Sequence, residues 1–348
     1  MLKFLAKYSK YIFFLCGLLL FIGLINDFGL ESIKNNLLKT GWWLIPIIGI
    51  WAIVYLLNTL SFCVVLGKDN RDRVGIKNSL LITISGFAIN YITPFASVGG
   101  EPYRVYKLKD YIGTPAAVSK VVLYKMIQLF SHFILWLLTI LIMLMIFTLS
   151  LKMKLALGVM FAIIFLFSLL FIDRHKNGLL GFIYSGVKKL RIKPLIGYFG
   201  KREKSIAEAD ENMKELYNER KCSFWLSVTI EFLARIVSSI EFYFILRSIG
   251  YDSSLMQSVY INSISSLFMN IFFFVPLELG IRESSLLLIM KTINITAGIG
   301  VFIALINRIR EFFWIIVGLL LAQINSKKTL SSSLKSLKNG LENESISI

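Results

Sequence analysis

Charged side chains inside apolar segments are the residues of this chain that could bind a polar ligand. Glu101 and Arg104 follow the pair Gly99-Gly100, so one charge of each sign stands beside backbone that a ligand can approach closely. The planar guanidinium of arginine donates two parallel hydrogen bonds, a geometry that suits two oxygens of a phosphate. This segment is therefore a candidate site for an anion, with Glu101 as the counter-charge.

The second half of the chain offers the same combination of charges. Arg282 and Glu283 follow Gly280, and residues 308–311 read R-I-R-E. An arginine and a carboxylate placed together can hold a ligand, but they can also form a salt bridge that only locks a loop. For any one pair, the sequence leaves both interpretations open.

Two segments that contain proline and glycine precede these charges and resemble each other. Residues 94–104 read P-F-A-S-V-G-G-E-P-Y-R, and residues 276–283 read P-L-E-L-G-I-R-E. A cation follows each glutamate after 24 or 25 residues, namely Lys125 after Glu101 and Arg308 after Glu283. In lipid, a broken backbone is tolerated only where it is buried in protein or lines a polar cavity. The pattern predicts two re-entrant hairpins, with hinges at Pro94, Gly99, Gly100, Pro276 and Gly280.

A further pair of charges lies in a later apolar run. Glu231 and Arg235 stand four residues apart, which places them on one helix face where they can neutralise each other between helices. An unpaired charge at the centre of a membrane helix costs about 2.5–3.5 kcal/mol on insertion scales, so each such residue needs a reason. The predicted substrate-binding residues are Glu101, Arg104, Lys125, Glu231, Arg235, Arg282, Glu283 and Arg308.

The composition is that of an integral membrane protein. The chain has 348 residues, of which 56% are apolar and 17% charged, and its mean hydropathy is +0.71. Long apolar runs predict an all-α polytopic protein with about six spans, at 11–26, 42–66, 127–150, 155–172, 222–248 and 299–325. These spans leave no room for a separate catalytic domain.

The positions of lysine and arginine predict the orientation, because cytoplasmic loops collect them. The basic segments are 1–10, 67–78, 173–221 and the residues after 325. We therefore expect a multi-pass protein of the plasma (inner) membrane with both termini in the cytoplasm. The broken runs at 79–98 and 257–291 would then enter from the cytoplasm and from outside, respectively. A span, a hairpin and a span repeated in opposite orientation is the layout of inverted-repeat transporters, whose substrates bind near the midplane.

Three parts of the chain are predicted. Residues 1–325 form the transmembrane domain, residues 173–221 form a basic, amphipathic cytoplasmic insertion within it, and residues 326–348 form a disordered cytoplasmic tail. Within the insertion, residues 179–200 suit an interfacial helix on anionic lipid. The net charge of +17 is thus attributed to membrane topology and acidic lipid, not to nucleic acid.

The run at residues 99–108, G-G-E-P-Y-R-V-Y-K-L, resembles the G-E-x-x-R-x-x-x-L signature of the flippase-like transmembrane family. That family includes the membrane region of lysylphosphatidylglycerol synthases. The second half is also similar, with Val275-Pro276 and residues 280–283 at the second signature and Arg308 before Gly318 in the last span. The resemblance covers about residues 42–325 and implies translocation of a lipid with a phosphate-bearing head group, without the soluble synthase domain.

Two departures from the family pattern affect the candidate site. The family usually has a Pro-Gly-Gly run before the second glutamate, where this chain has Pro276-Leu277-Glu278. The first span after the hairpin usually carries Glu-Arg, where this chain has Tyr124-Lys125. The first change adds a carboxylate to a stiffer hairpin, and the second replaces a forked cation by a point charge. The identity of the lipid is therefore not transferred.

The leading hypothesis is a flippase-like protein in which Arg104, Arg282 and Arg308 hold an anionic head group, of a phospholipid or a polyprenyl-phosphate lipid. No nucleotide, metal or nucleophile motif is present, so neither enzyme activity nor a cofactor is expected. One alternative is a membrane subunit of a glycosyl- or aminoacyl-transferase, which would work with a separate synthase or glycosyltransferase. Another is a transporter of a small soluble anion, which would need a narrower, enclosed cavity.

Overall fold

The computed structural model describes most of the chain between residues 30 and 346. The described residues are 30–93, 99–146, 150–177, 179–189, 200, 203, 206–207, 210–211, 214, 220–273, 275, 278–293, 295–296 and 298–346. Their regular secondary structure is helical throughout, which confirms the predicted all-α fold. The predicted first span at 11–26 and the proposed hinges Pro94 and Pro276 lie outside these residues.

The amino-terminal half, residues 30–146, begins with a short helix and a 3-10 turn and then contains the first predicted hairpin. Its helices are α1 (Leu30–Thr40), α2 (Leu44–Leu66), α3 (Lys68–Val74), α4 (Ile76–Ile92), α5 (Gly100–Ile112) and α6 (Thr114–Ile146). Glycines at positive φ separate α2, α3 and α4, since Gly67 and Gly75 adopt angles of 82° and 78° that other residues rarely take. The break between α4 and α5 coincides with the predicted hairpin.

The remaining helices follow in chain order. They are α7 (Leu151–Asn177), α8 (Leu179–Lys189), α9 (Lys221–Ser248), α10 (Leu255–Ile271), α11 (Ile281–Thr292) and α12 (Gly298–Ile346). Helices α9 to α12 form the carboxy-terminal half, residues 221–346. A capping box in which Ser254 and Gln257 bond each other's backbone starts α10. Helix α10 ends at Ile271 and α11 begins at Ile281, and this boundary falls within the broken run predicted at 257–291.

Three described helical segments are long and apolar enough to cross a membrane by length and composition, Leu38–Leu66, Thr114–Met145 and Leu151–Leu170. Helices α9 and α12 match the predicted spans at 222–248 and 299–325 in position, but paired charges interrupt their apolar character. Helix α7 supports a lipid environment, because large apolar side chains are exposed along its length. Such a continuous apolar surface is rare in water.

The two halves have the same order of elements and matching contacts. Helix α2 packs on α4 as α9 packs on α10, and α5 packs on α6 as α11 packs on α12. The halves meet where α2 contacts α9, and where α4 contacts α12. The second contact is close, since Ser85 Oγ donates to the Gly318 carbonyl over 2.9 Å and a Cβ on Gly318 would lie 2.4 Å from that of Ala88.

Two boundaries differ from the sequence expectations. Helix α6 begins at Thr114, well before the predicted start at 127, because Pro115 suits a first helical turn and polar side chains such as Ser119 are packed inside the protein. Helix α12 continues to Ile346 and so includes residues 326–346 of the tail that the sequence predicts at 326–348. Leucines at 330, 334, 337 and 341 recur there at helical spacing.

Candidate functional site

A cavity of about 630 Å³ lies between the two halves. Residues from α2, α4, α6, α9, α10, α11 and α12 line it, together with the break between α10 and α11. Its charged lining consists of four cations and two carboxylates, namely Lys125, Arg235, Arg282, Arg308, Glu278 and Glu311. Four of the eight predicted substrate-binding residues therefore share one cavity. The other four, Glu101, Arg104, Glu231 and Glu283, do not line it but pair with or stand near those that do.

The remaining lining is apolar and neutral-polar. Large apolar side chains include Trp51, Phe87, Leu129, Met269, Phe273 and Phe312. Amide, imidazole and hydroxyl side chains include Asn58, Gln128, His132, Ser238, Asn262 and Asn270. The cavity thus offers charge-assisted contacts, neutral hydrogen bonds and apolar surface together. No group of three or more His, Cys, Asp or Glu side chains suitable for a metal ion occurs among the residues that the structure describes.

Glu101 is the centre of the polar contacts in the amino-terminal half. Its Oε1 lies 3.1 Å from Lys125 Nζ and 3.4 Å from Arg104 Nη1. Asn90 fixes the start of α5, because its Oδ1 accepts from the Gly100 N–H over 2.6 Å while its Nδ2 donates to Glu101 over 3.4 Å. A Cβ on Gly100 would lie 2.1 Å from the Gly86 carbonyl oxygen, so only glycine fits there.

Arg104 is buried, with a side-chain exposure of 1%, and is not among the residues that line the cavity. Its guanidinium carbon lies 4.8 Å from the ring centroid of Phe87 and 5.6 Å from that of Tyr124. Gly86 makes room for it, since a Cβ there would lie 2.6 Å from Arg104 Nε. The structure therefore places Arg104 where it supports Phe87 and Glu101, and not where the sequence hypothesis would have it hold a head group.

An Arg104→Ala variant is expected to lose stability while its affinity for an anionic lipid changes less than about threefold. The change removes two ring contacts and one of the two cations near Glu101, at a cost of about 2 kcal/mol, below the range for breaking a whole buried pair because Lys125 remains. Thermal unfolding and lipid binding of the purified protein measure the two effects separately. Arg71→Ala, which breaks an exposed pair with Asp72, is the matched control. A large loss of affinity without loss of stability would contradict this placement.

Glu283 is the corresponding centre in the carboxy-terminal half. It is fully buried, and its Oε1 accepts hydrogen bonds from Arg308 Nη2 over 2.8 Å and Nε over 3.1 Å. Its Oε2 accepts from the Gly280 N–H over 2.8 Å, at the start of α11. The glutamates that are 24 and 25 residues before a cation in the sequence thus contact those cations in both halves.

Arg282 does not pair with its neighbour Glu283, which corrects the expectation that adjacent charges would form the second site. Successive residues on a helix point in directions about 100° apart, so Arg282 faces other partners. It donates to Glu278 in the preceding turn and to Glu311 on α12. The Arg282 guanidinium therefore forms ion pairs with two carboxylates at the cavity wall.

A buried network continues from Glu311 away from Arg282. Arg310 Nη2 lies 3.7 Å from Glu311 Oε1. The Nε of Arg310 donates to Glu241 on α9 over 3.1 Å. Trp51 on α2 donates its indole N–H to Glu241 over 2.7 Å and lies under the Arg310 guanidinium at 3.8 Å. The sequence shows Arg310 and Glu311 in the run R-I-R-E, but it gives no signal of which helix would bring Glu241 against them.

The predicted pair Glu231 and Arg235 is confirmed. Arg235 Nη1 lies 2.9 Å from Glu231 Oε2, and its Nη2 donates to the Gln128 carbonyl on α6 over 2.8 Å. Asn262 on α10 secures the same turn of α9 by donating to the Arg235 carbonyl and to the hydroxyl of Ser239. Arg235 is thus held at the cavity wall by a contact within α9 and by contacts with two other helices, α6 and α10.

The comparisons with known proteins agree on one group. The family model described as lysylphosphatidylglycerol synthase TM region matches residues 10–319. The chain is also 23% identical over 317 residues to a UPF0104 membrane protein of Methanothermobacter thermautotrophicus, and this match covers 89% of the chain and 93% of that protein. No solved structure matches the chain. The match to the family model includes all the residues that line the cavity.

Proposed function

Because this chain belongs to the lysylphosphatidylglycerol synthase transmembrane-region family, we propose that it binds a lipid with an anionic, phosphate-bearing head group and moves it between leaflets. The head group occupies the cavity between the two halves. Lys125, Arg235, Arg282 and Arg308 contact its phosphate oxygens, and the apolar wall receives the first part of the lipid chains.

One observation carries this proposal: four cations and a large apolar surface line the same cavity. A soluble anion would need the cations but not apolar walls that include Phe87, Phe273 and Phe312. An amphiphilic lipid uses both kinds of surface. The proposal involves no chemical step, and the protein acts by binding and positioning alone.

The two interrupted helix pairs, one in each half, define how the halves are oriented in this proposal. We assign α4 with α5, and α10 with α11, as re-entrant hairpins that enter from the cytoplasm and from outside. The chain then has inverted repeats in the plasma membrane, with both termini in the cytoplasm. The basic helix α3 and the interfacial helix α8 lie on the cytoplasmic side, where lysine and arginine collect. Motion of one half against the other would expose the cavity alternately to each leaflet.

Lys125→Gln is the variant that tests head-group binding with the least disturbance. The Lys125 side chain is 53% exposed at the cavity, and Glu101 keeps Arg104 when the lysine charge is removed. We expect about fivefold weaker binding of an anionic lipid and unchanged weak binding of diacylglycerol, which has no phosphate, as for loss of one partly exposed charge-assisted contact. Lys109→Gln, which removes an exposed lysine outside the cavity, is the matched control.

Native mass spectrometry of the gently purified protein, with lipid identification, gives the binding readout for wild type and both variants. Reconstituted vesicles that contain the identified lipid then measure its movement between leaflets. Retention of the same anionic lipids by wild type and Lys125→Gln would show that Lys125 does not bind the head group. If no anionic lipid is enriched on the wild-type protein, and none moves in vesicles, the proposed function is wrong.

A further inference from the structure

Glu278 has an unusual backbone conformation. Its φ is +53°, and among the residues that the structure describes it is the one non-glycine residue with a positive φ. This left-handed conformation is costly for a residue with a Cβ and persists only when other contacts hold it. Two contacts hold Glu278: its N–H donates to the Val275 carbonyl over 3.1 Å, and its carboxylate accepts from Arg282.

The two carboxylates on Arg282 differ in how firmly they are held. Glu311 has a side-chain exposure of 9%, belongs to the long helix α12, and also lies 3.7 Å from Arg310. Glu278 has a side-chain exposure of 27% and belongs to the break between α10 and α11. Arg282 is its ion-pair partner in the structure. Of the two, Glu278 is therefore the carboxylate that can leave without uncovering another charge.

An anion that reaches Arg282 meets a guanidinium that is already shared by two carboxylates. Three negative groups around one arginine repel each other, and the repulsion is strong here because the Arg282 side chain is only 6% exposed. One of them has to leave for the anion to bind through two hydrogen bonds. The exposure and the strained backbone of Glu278 identify it as the group that leaves.

We propose that Glu278 is an exchangeable counter-ion, which neutralises Arg282 in the empty cavity and is displaced when the phosphate of a lipid head group binds there. This inference rests on the proposed function and deepens it. Displacement frees Glu278 from its side-chain contact with Arg282 on α11. Arrival of the head group thereby changes the break that separates α10 from α11, which couples occupancy of the cavity to the shape of the second hairpin.

The test uses two variants that remove the charge of Glu278 with different effects on the backbone. Glu278→Gln keeps the side-chain length, and Glu278→Gly suits the positive φ. Calorimetric titration of the purified full-length protein uses water-soluble dihexanoyl phosphatidylglycerol as the anionic probe and dihexanoylglycerol, which has the same acyl chains but no phosphate, as the neutral one. Asp252→Asn is the matched control, because Asp252 is a 90% exposed partner of Arg247 outside the cavity.

Both Glu278 variants are expected to bind the anionic probe about tenfold tighter than wild type, since a competing charge on the arginine has been removed. Asp252→Asn should bind it as wild type does, and no variant should gain affinity for the dihexanoylglycerol probe. Equal or weaker binding by both Glu278 variants, with clear binding by wild type, would overturn the exchange alone. If neither wild type nor any variant prefers the anionic probe, both the exchange and the proposed function fail. Tighter binding by only one variant attributes the effect to the backbone and also overturns the exchange.

Discussion

An Arg308→Ala variant is expected to lose binding of the anionic lipid by at least about thirtyfold, because the change removes a cavity cation and unbalances the charges behind it. Arg308 is the ion-pair partner of the fully buried Glu283, whose other carboxylate oxygen accepts a hydrogen bond from the Gly280 N–H. A buried carboxylate that loses its cation costs about 3–5 kcal/mol. The same variant should therefore unfold at a clearly lower temperature.

Two further variants separate the charge from the packing. Arg308→Lys keeps a positive charge without the fork, so it should recover most of the stability but only part of the affinity. Arg247→Ala removes an arginine whose partner Asp252 is exposed, and its effect on unfolding should stay below about 1 kcal/mol. Equal effects of Arg308→Ala and Arg247→Ala on stability would show that the Glu283 pair does not support the fold.

Gly100→Ala is expected to disrupt the first hairpin more than any other single methyl group in that segment. The new Cβ would lie 2.1 Å from the Gly86 carbonyl oxygen and 2.7 Å from the Asn90 amide, both in the facing helix α4. Backbone cannot move aside as a flexible side chain can, so α5 must shift. We expect a loss of about 3 kcal/mol or more, within the range for severe overpacking, together with loss of lipid binding.

Gly49→Ala is the matched control, because Gly49 lies within α2 and a Cβ there meets nothing within 4 Å. Alanine in an exposed helical position is favourable by about 0.5–1 kcal/mol, so this variant should be as stable as wild type or slightly more stable. Thermal unfolding and the yield of monodisperse protein after purification give the comparison. Wild-type behaviour of Gly100→Ala would mean that α4 and α5 are not in close contact.

The sequence predicted the helices that apolar runs define, and it was less accurate where polar residues enter them. The predicted spans 42–66 and 222–248 agree with α2 and α9 within two residues at each end. Helix α6 starts much earlier than its apolar run, because polar side chains such as Ser119 and Lys120 are packed inside the protein at that end. Apolar periodicity detects lipid-facing and core residues, but it does not detect a polar helix end that other helices cover.

The candidate site could also be predicted only in part, because sequence spacing gives contacts within one helix but not contacts between helices. The Glu231–Arg235 pair follows from the pitch of one helix, and helical pitch can be read from spacing alone. The pairing of Arg310 with Glu241 spans 69 residues and depends on how α9 packs against α12, which no local pattern contains. The burial of Arg104 likewise depends on Gly86 in another helix. The residue types thus indicated an anionic ligand, but which residues line the cavity depends on tertiary packing.

The buried network that runs from Arg282 through Glu311 and Arg310 to Glu241 and Trp51 also constrains how this protein can evolve. Its members belong to α2, α9, α11 and α12, and each is a partner of the next. Losing one member strands a neighbour, so a lone substitution is costly where a matched pair of substitutions is not. Relatives should therefore change these positions together, and such correlated replacements, more than invariance, would be the evolutionary trace of this network.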